Sequence, residues 1–125
     1  MNDRYLFRAK RKNWKQLPKE MWWVEGYLYG IWDRRYILWG MTNDVPNMVE
    51  VDPSTICQCT GLKDKNGKLI WENDILKYEW GGEEKIDVIK YEAPIFTYSK
   101  SMRWSLYKDE VIGNIFDNPE LLEVD

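Results

Sequence analysis

Strand and turn rather than helix are the dominant local signal of this chain. Gly26 and Gly30, the Trp32-Asp33-Arg34-Arg35 turn, the loop from Thr42 to Asn47, Pro53, Asn66-Gly67 and Gly81-Gly82 punctuate it. Composition points the same way. Ala occurs twice in 125 residues, whereas Val, Ile, Thr and the three aromatic types together supply 40. Such side chains suit a pleated, half-buried surface. The chain is therefore expected to be mostly β.

The first strand is read from Arg4 to Lys10, with Tyr5, Phe7 and Ala9 on one face and Arg4, Leu6 and Arg8 on the other. The basic run Lys10-Arg11-Lys12-Asn13-Trp14-Lys15 reads as a polar turn, and Pro18 keeps the chain irregular until Met21-Trp22-Trp23-Val24 opens the next strand. Tyr36 to Trp39, Met48 to Asp52, Thr55 to Thr60, Asp74 to Trp80, Lys85 to Glu92, Ile95 to Tyr98, Arg103 to Tyr107 and Val111 to Phe116 complete the set. Asn66-Gly67 tolerates the positive φ angles of a type I′ turn. Asn118-Pro119 predicts an Asn cap and one short helical turn at the C-terminus. Many short strands without room for a βαβ crossover predict an antiparallel rolled sheet. We expect one domain over 1–125, with a β-hairpin subregion at 1–49 and, at 50–125, a small SH3-like barrel.

The absence of His removes imidazole bases, His metal ligands and the Ser-His-Asp and Cys-His nucleophile systems. Gly81-Gly82 is followed by no Lys-Ser/Thr that could grip a phosphate. Cys57 and Cys59 lie on one face of a strand, too close in sequence for a relaxed disulfide. Two thiols make half a zinc site, with no further soft ligand to complete it. The residues thus imply no cofactor, no metal and no enzyme. The sharpest contrary reading is a carboxylate-dependent metal enzyme, with Asp64, Glu72 and Asp74 converging near one hairpin. Against it, Asp64 and Asn66 are residue types that bond their own turn. A chain without a disulfide framework, with charges where a signal peptide needs an apolar run and with no membrane-span segment, is expected to be cytoplasmic.

Net charge is −3, unevenly spread: residues 1–19 hold seven Lys or Arg against one acid, and residues 41–125 hold nine against seventeen. Basic residues beside aromatic ones are the elements of a single-stranded nucleic-acid platform, here Arg8, Lys10, Arg11, Lys12, Trp14 and Lys15. The same residues can pair with the chain's own acids. The eight Trp fill and cover a small fold or make contacts with another chain, because interfaces enrich Trp and Tyr. Trp22, Trp23, Trp32 and Trp39 are the candidate protein contacts. A second copy paired through sheet edges is a further option.

Four stretches carry a family resemblance: Val51-Asp52-Pro53 to Gln58; Thr60-Gly61-Leu62-Lys63-Asp64-Lys65-Asn66-Gly67-Lys68; Ile70-Trp71-Glu72-Asn73-Asp74-Ile75; and Val111 to Leu122. Together with Phe7-Arg8-Ala9-Lys10-Arg11 and Trp23 to Leu28, they resemble the YopX family of phage and prophage proteins. The sequence departs from that pattern at Ala9 and Asn73, where Gly is expected, at Cys59, where an aromatic is usual, and around Gln16 to Glu20. The resemblance implies a largely β fold and a home on phage or mobile elements, with no assigned activity. Gly61, Gly67 and Gly113 are read as backbone positions with positive φ or no room for a Cβ.

Overall fold

The computed structural model describes residues 5–92, 95–98 and 109–122. Strands dominate. In order they are β1 Phe7–Lys10, β2 Trp23–Ile31, β3 Arg34–Thr42, β4 Val45–Glu50, β5 Cys57–Lys63, β6 Leu69–Trp71, β7 Asp74–Trp80, β8 Glu83–Glu92, β9 Ile95–Tyr98 and β10 Glu110–Asn114. Helical structure among these residues is confined to single 3-10 turns, including the expected one at Pro119–Leu122. All pairings are antiparallel. The expected strand at Arg103 to Tyr107 lies outside the described residues.

The chain divides into two compact units, Met1–Gln58 and Cys59–Asp125. In the first, β1 pairs with β2, β2 with β3 and β3 with β4, and Arg8 and Phe7 of β1 pair with Cys57 and Gln58. The sheet rolls up. The Val51 N–H donates to the Arg35 carbonyl at 2.9 Å, and the same residue bridges Arg11. Ala9, Val24, Ile37 and Val51 form the buried core, with Phe7, Leu28, Val49 and Ile56 packed against them. Alternation along β1 and β2 puts Ala9 and Val24 on that inner side and Arg8, Lys10, Trp23 and Glu25 on the outer one.

The second unit holds a four-stranded sheet in the order β10-β7-β8-β9, and the pair β5–β6. Ile70, Leu76 and Ile89 form its core, covered by Tyr78 and Val111. The expected SH3-like closure is not seen among the described residues. β9 and β10 each pair with one neighbour there, so the four-stranded sheet is open.

Local turn chemistry accounts for the differences at strand ends. Asn43 and Asp44 both take positive φ, 51° and 65°, which reduces the expected loop from Thr42 to Asn47 to a two-residue hairpin turn. Pro46 then sits within β4, a sheet-edge strand that tolerates its missing N–H. At Asn66-Gly67 only Gly67 is left-handed, at φ 79°, so the turn is not type I′. Instead Gly67 N–H bonds the Asp64 carbonyl and Asp64 N–H bonds that of Lys68, a wider loop of the three-residue kind. Gly81-Gly82, at φ 64° and 84°, makes the expected reversal between β7 and β8. Asn73 at φ 71° shows why Gly was expected there: Asn is among the few other residues that tolerate this region.

Candidate functional site

Most of the basic segment is engaged by the chain itself. Lys10 is buried, 2% exposed, although it stands in a run that reads as a solvated turn. Its ammonium lies 4.0 Å from the Trp14 ring centroid, 4.4 Å from that of Trp22 and 5.5 Å from that of Trp23. Negative ring faces offset part of the desolvation cost of a buried cation. Trp14 and Trp22 meet edge to face at 4.9 Å, and the Trp22 indole N–H donates to the Leu17 carbonyl at 2.8 Å. Two short 3-10 turns, Trp14–Gln16 and Lys19–Met21, bring these rings over β1.

The other candidate cations have partners too. The Arg8 guanidinium lies 4.9 Å from the Trp23 ring centroid, an Arg11 N–H donates to the Met21 carbonyl, and Lys12 pairs with Glu50 at 3.1 Å. Trp14 donates its indole N–H to Asp52 at 3.3 Å, and Lys15 lies 5.5 Å from the Trp14 ring centroid. Burial pushes the Asp52 carboxyl up; the Ser54 hydroxyl and N–H, the Trp14 indole and the Lys15 charge outweigh it and hold the group below its ordinary range. Of the six residues read as a nucleic-acid platform, Lys10 and Lys15 thus lie against Trp14, while Arg8, Arg11 and Lys12 contact Trp23, Met21 and Glu50 of the same chain.

Two carboxylates of the second unit, Asp64 and Asp74, accept from backbone N–H groups. Asp64 accepts from the N–H groups of Asn66 and Lys68, both at 2.9 Å, and of Val111 at 3.0 Å. Asp74 accepts from Trp71 N–H at 2.8 Å. Among the described residues no three His, Cys, Asp or Glu side chains converge in a way that could hold a metal ion. Cys57 and Cys59 are both buried free thiols, on one face as expected. The Asn118 carboxamide, expected to cap the last helical turn, accepts from Asn114 N–H at 3.2 Å. It fills the space that a Cβ on Gly113 would need, 2.4 Å away.

The four Trp chosen as protein contacts separate into two places. Trp22 and Trp23 are half-buried around Lys10, whereas Trp32 and Trp39 lie out on the β2–β3 hairpin, 92% and 47% exposed. Trp39 is the extra residue of a bulge between the Leu38↔Met48 and Gly40↔Asn47 pairs. The outer side carries a second set of exposed residues: Tyr27, Tyr29 and Ile31 on β2, Met41 on β3 and Met48 on β4. Register aligns Tyr27 with Leu38 and Met48, and Tyr29 with Tyr36; the rings of Tyr29 and Tyr36 are 6.4 Å apart. These residues were not singled out from sequence. Their signal was present as Tyr27-x-Tyr29-x-Ile31 alternating with Gly26-x-Leu28-x-Gly30.

Trp32 stands at the end of this face in a two-residue turn with φ 58°, a region that bulky residues avoid. Arg35 holds the turn: one guanidinium nitrogen donates to the carbonyls of Trp32 at 3.0 Å and Arg34 at 2.9 Å. Strain at a fully displayed aromatic side chain marks a residue not placed for folding. Trp32→Gly is therefore expected to raise stability by roughly 0.5–1 kcal/mol, measured as a higher denaturation midpoint.

The YopX protein family model matches residues 6–123, nearly the whole chain. The chain belongs to the YopX family. No curated protein matches this YopX chain. The crystal structure of protein EF1440 from Enterococcus faecalis is similar to it, at 26% identity and a TM-score of 0.58, over 94% of this chain and 96% of that one. Among the described residues of this YopX protein, no helix is long and apolar enough to cross a membrane.

Proposed function

We propose that this YopX protein is a non-enzymatic accessory protein of phage or prophage origin that acts by binding another protein. The contact surface is the outer face of the β2–β3–β4 hairpins with Trp32 at its tip. What carries this reading is the concentration there of exposed Trp, Tyr, Ile and Met on regular strands, including a Trp held in a strained turn. Large apolar side chains grouped on a rigid scaffold are the usual anchors of protein interfaces.

The nucleic-acid reading is weaker, because Lys10 is buried and Lys12 is paired with Glu50. A nucleic-acid binder loses affinity steeply with salt as phosphate neutralisation releases counterions. The protein is therefore expected to flow through heparin and single-stranded DNA columns at low salt. Retention that falls steeply with salt, and that Lys12→Glu with Lys15→Glu abolishes, would replace protein binding by nucleic-acid binding.

A further inference from the structure

We infer that Asn66 is a site of spontaneous covalent modification: its carboxamide cyclises onto the Gly67 nitrogen, and the Asp64 loop that holds this nitrogen back cannot close again once the product has formed.

The reaction needs an unhindered backbone nitrogen directly after an Asn, and Asn66-Gly67 is the chain's one Asn-Gly pair. Both residues are exposed, and a Cβ built on Gly67 would meet nothing within 4 Å, so a five-membered ring has room to form. Among the described residues the Asn66 carboxamide has no hydrogen-bond partner, which leaves it free to turn. Lys63, Lys65 and Lys68 are exposed around it, and their positive charge favours the nitrogen anion that attacks.

What opposes the reaction is the loop itself. The Gly67 N–H, whose nitrogen must attack, donates to the Asp64 carbonyl at 3.0 Å. The Asn66 and Lys68 N–H groups on either side both donate to Asp64 Oδ1 at 2.9 Å. The nitrogen must leave its acceptor before it can lose its proton, so the closed loop reacts slowly and the open loop fast.

Once free, the Gly67 nitrogen gives up its proton and bonds to the Asn66 Cγ. The bond from Cγ to the carboxamide nitrogen breaks, and ammonia leaves carrying that proton. Water then opens the succinimide, at Cγ to give Asp or at the Asn66 backbone carbonyl to give isoaspartate. In isoaspartate the main chain runs through Cβ and Cγ and is one atom longer between the Asn66 and Lys68 nitrogens. Their N–H groups no longer both reach Asp64 Oδ1, and the new carboxylate repels that of Asp64. Asp64 Oδ2 accepts from the Val111 N–H at 3.0 Å, so the modification also loosens β10 from the loop.

Ageing the full chain in mildly alkaline buffer, folded and in urea, with peptide mapping and enzymatic detection of isoaspartate, tests this. The expected product is isoaspartate at position 66, formed at least about tenfold more slowly in the folded chain than in the unfolded one. Asp64→Asn, a weaker acceptor, speeds the reaction of the folded chain at least about threefold. Asn66→Gln, which would have to close a larger ring, removes it. The isoaspartyl form of the parent, separated by its added charge, exchanges the Lys68 and Val111 amide hydrogens at least about tenfold faster than the unmodified form. That comparison involves no variant and decides the matter if Asp64→Asn does not fold. No isoaspartate at position 66 of the folded chain after weeks, equal rates in folded and unfolded chains, a folded Asp64→Asn that ages no faster than the parent, or equal amide exchange in the two forms overturns the inference.

Discussion

Gly26→Ala should lower stability by about 3 kcal/mol, the largest effect expected of a single added methyl group in the first unit. A Cβ at this position would lie 2.0 Å from the Leu38 carbonyl oxygen and 2.8 Å from its carbonyl carbon, both backbone atoms of the neighbouring strand. A flexible side chain could swing aside; a strand in a hydrogen-bonded ladder cannot. The clash falls where β2 passes from β1 to β3, next to the Tyr27↔Leu38 pair that starts the hairpin ladder. Its relief requires β3, which carries Ile37 of the core, to move away from β2. Chemical denaturation should show a midpoint far below that of the parent protein. Gly30→Ala is the control: its Cβ would approach only the Arg35 side chain, at 3.2 Å or more, and should cost much less.

Asp64→Ala should cost about 2–3 kcal/mol, because three backbone N–H donors lose a charged acceptor at once. One carboxylate closes the Asp64-to-Lys68 loop and ties Val111, at the start of β10, to it. The Lys65 N–H bond to the Asp109 carbonyl and the Lys65–Glu110 ion pair at 3.2 Å join the same two segments. Burial pushes the Asp64 carboxyl up, but the N–H groups of Val111, Lys68 and Asn66, with the Lys68 charge, outweigh it and leave the group below its ordinary value of 3.8. A carboxyl lowered on folding contributes stability that is fully present above its unfolded value and is lost as pH falls through the folded one. The parent should therefore lose stability below about pH 4 with a component that Asp64→Asn removes. Urea denaturation at several pH values from neutrality downward checks both statements. Equal acid sensitivity in parent and variant would remove Asp64 from this role.

Sequence patterning conveyed the β class, the Gly81-Gly82 reversal, the shared face of Cys57 and Cys59 and the local bonding of Asp64, because each follows from period-two alternation or from turn chemistry within a few residues. Lys10 was illegible for a physical reason. Alternation correctly turns it away from Ala9 and the core, but its burial depends on Trp14 and Trp22 arriving through segments with no periodicity. The same cluster turns a string of apparently free basic residues into a set of internal contacts. The outer face of β2 was written in the sequence as alternating Tyr, Tyr and Ile. A sequence cannot say which side of a rolled sheet is covered.

The central claim, that this protein works through the exposed hairpin face, is tested most directly by photo-reactive amino acids placed one at a time at Tyr29 and Lys15, in phage-carrying cells. The account predicts discrete protein adducts from position 29, lost when Trp32 is changed to Ala. Nucleic-acid adducts from position 15, with no protein adducts from position 29, would contradict it.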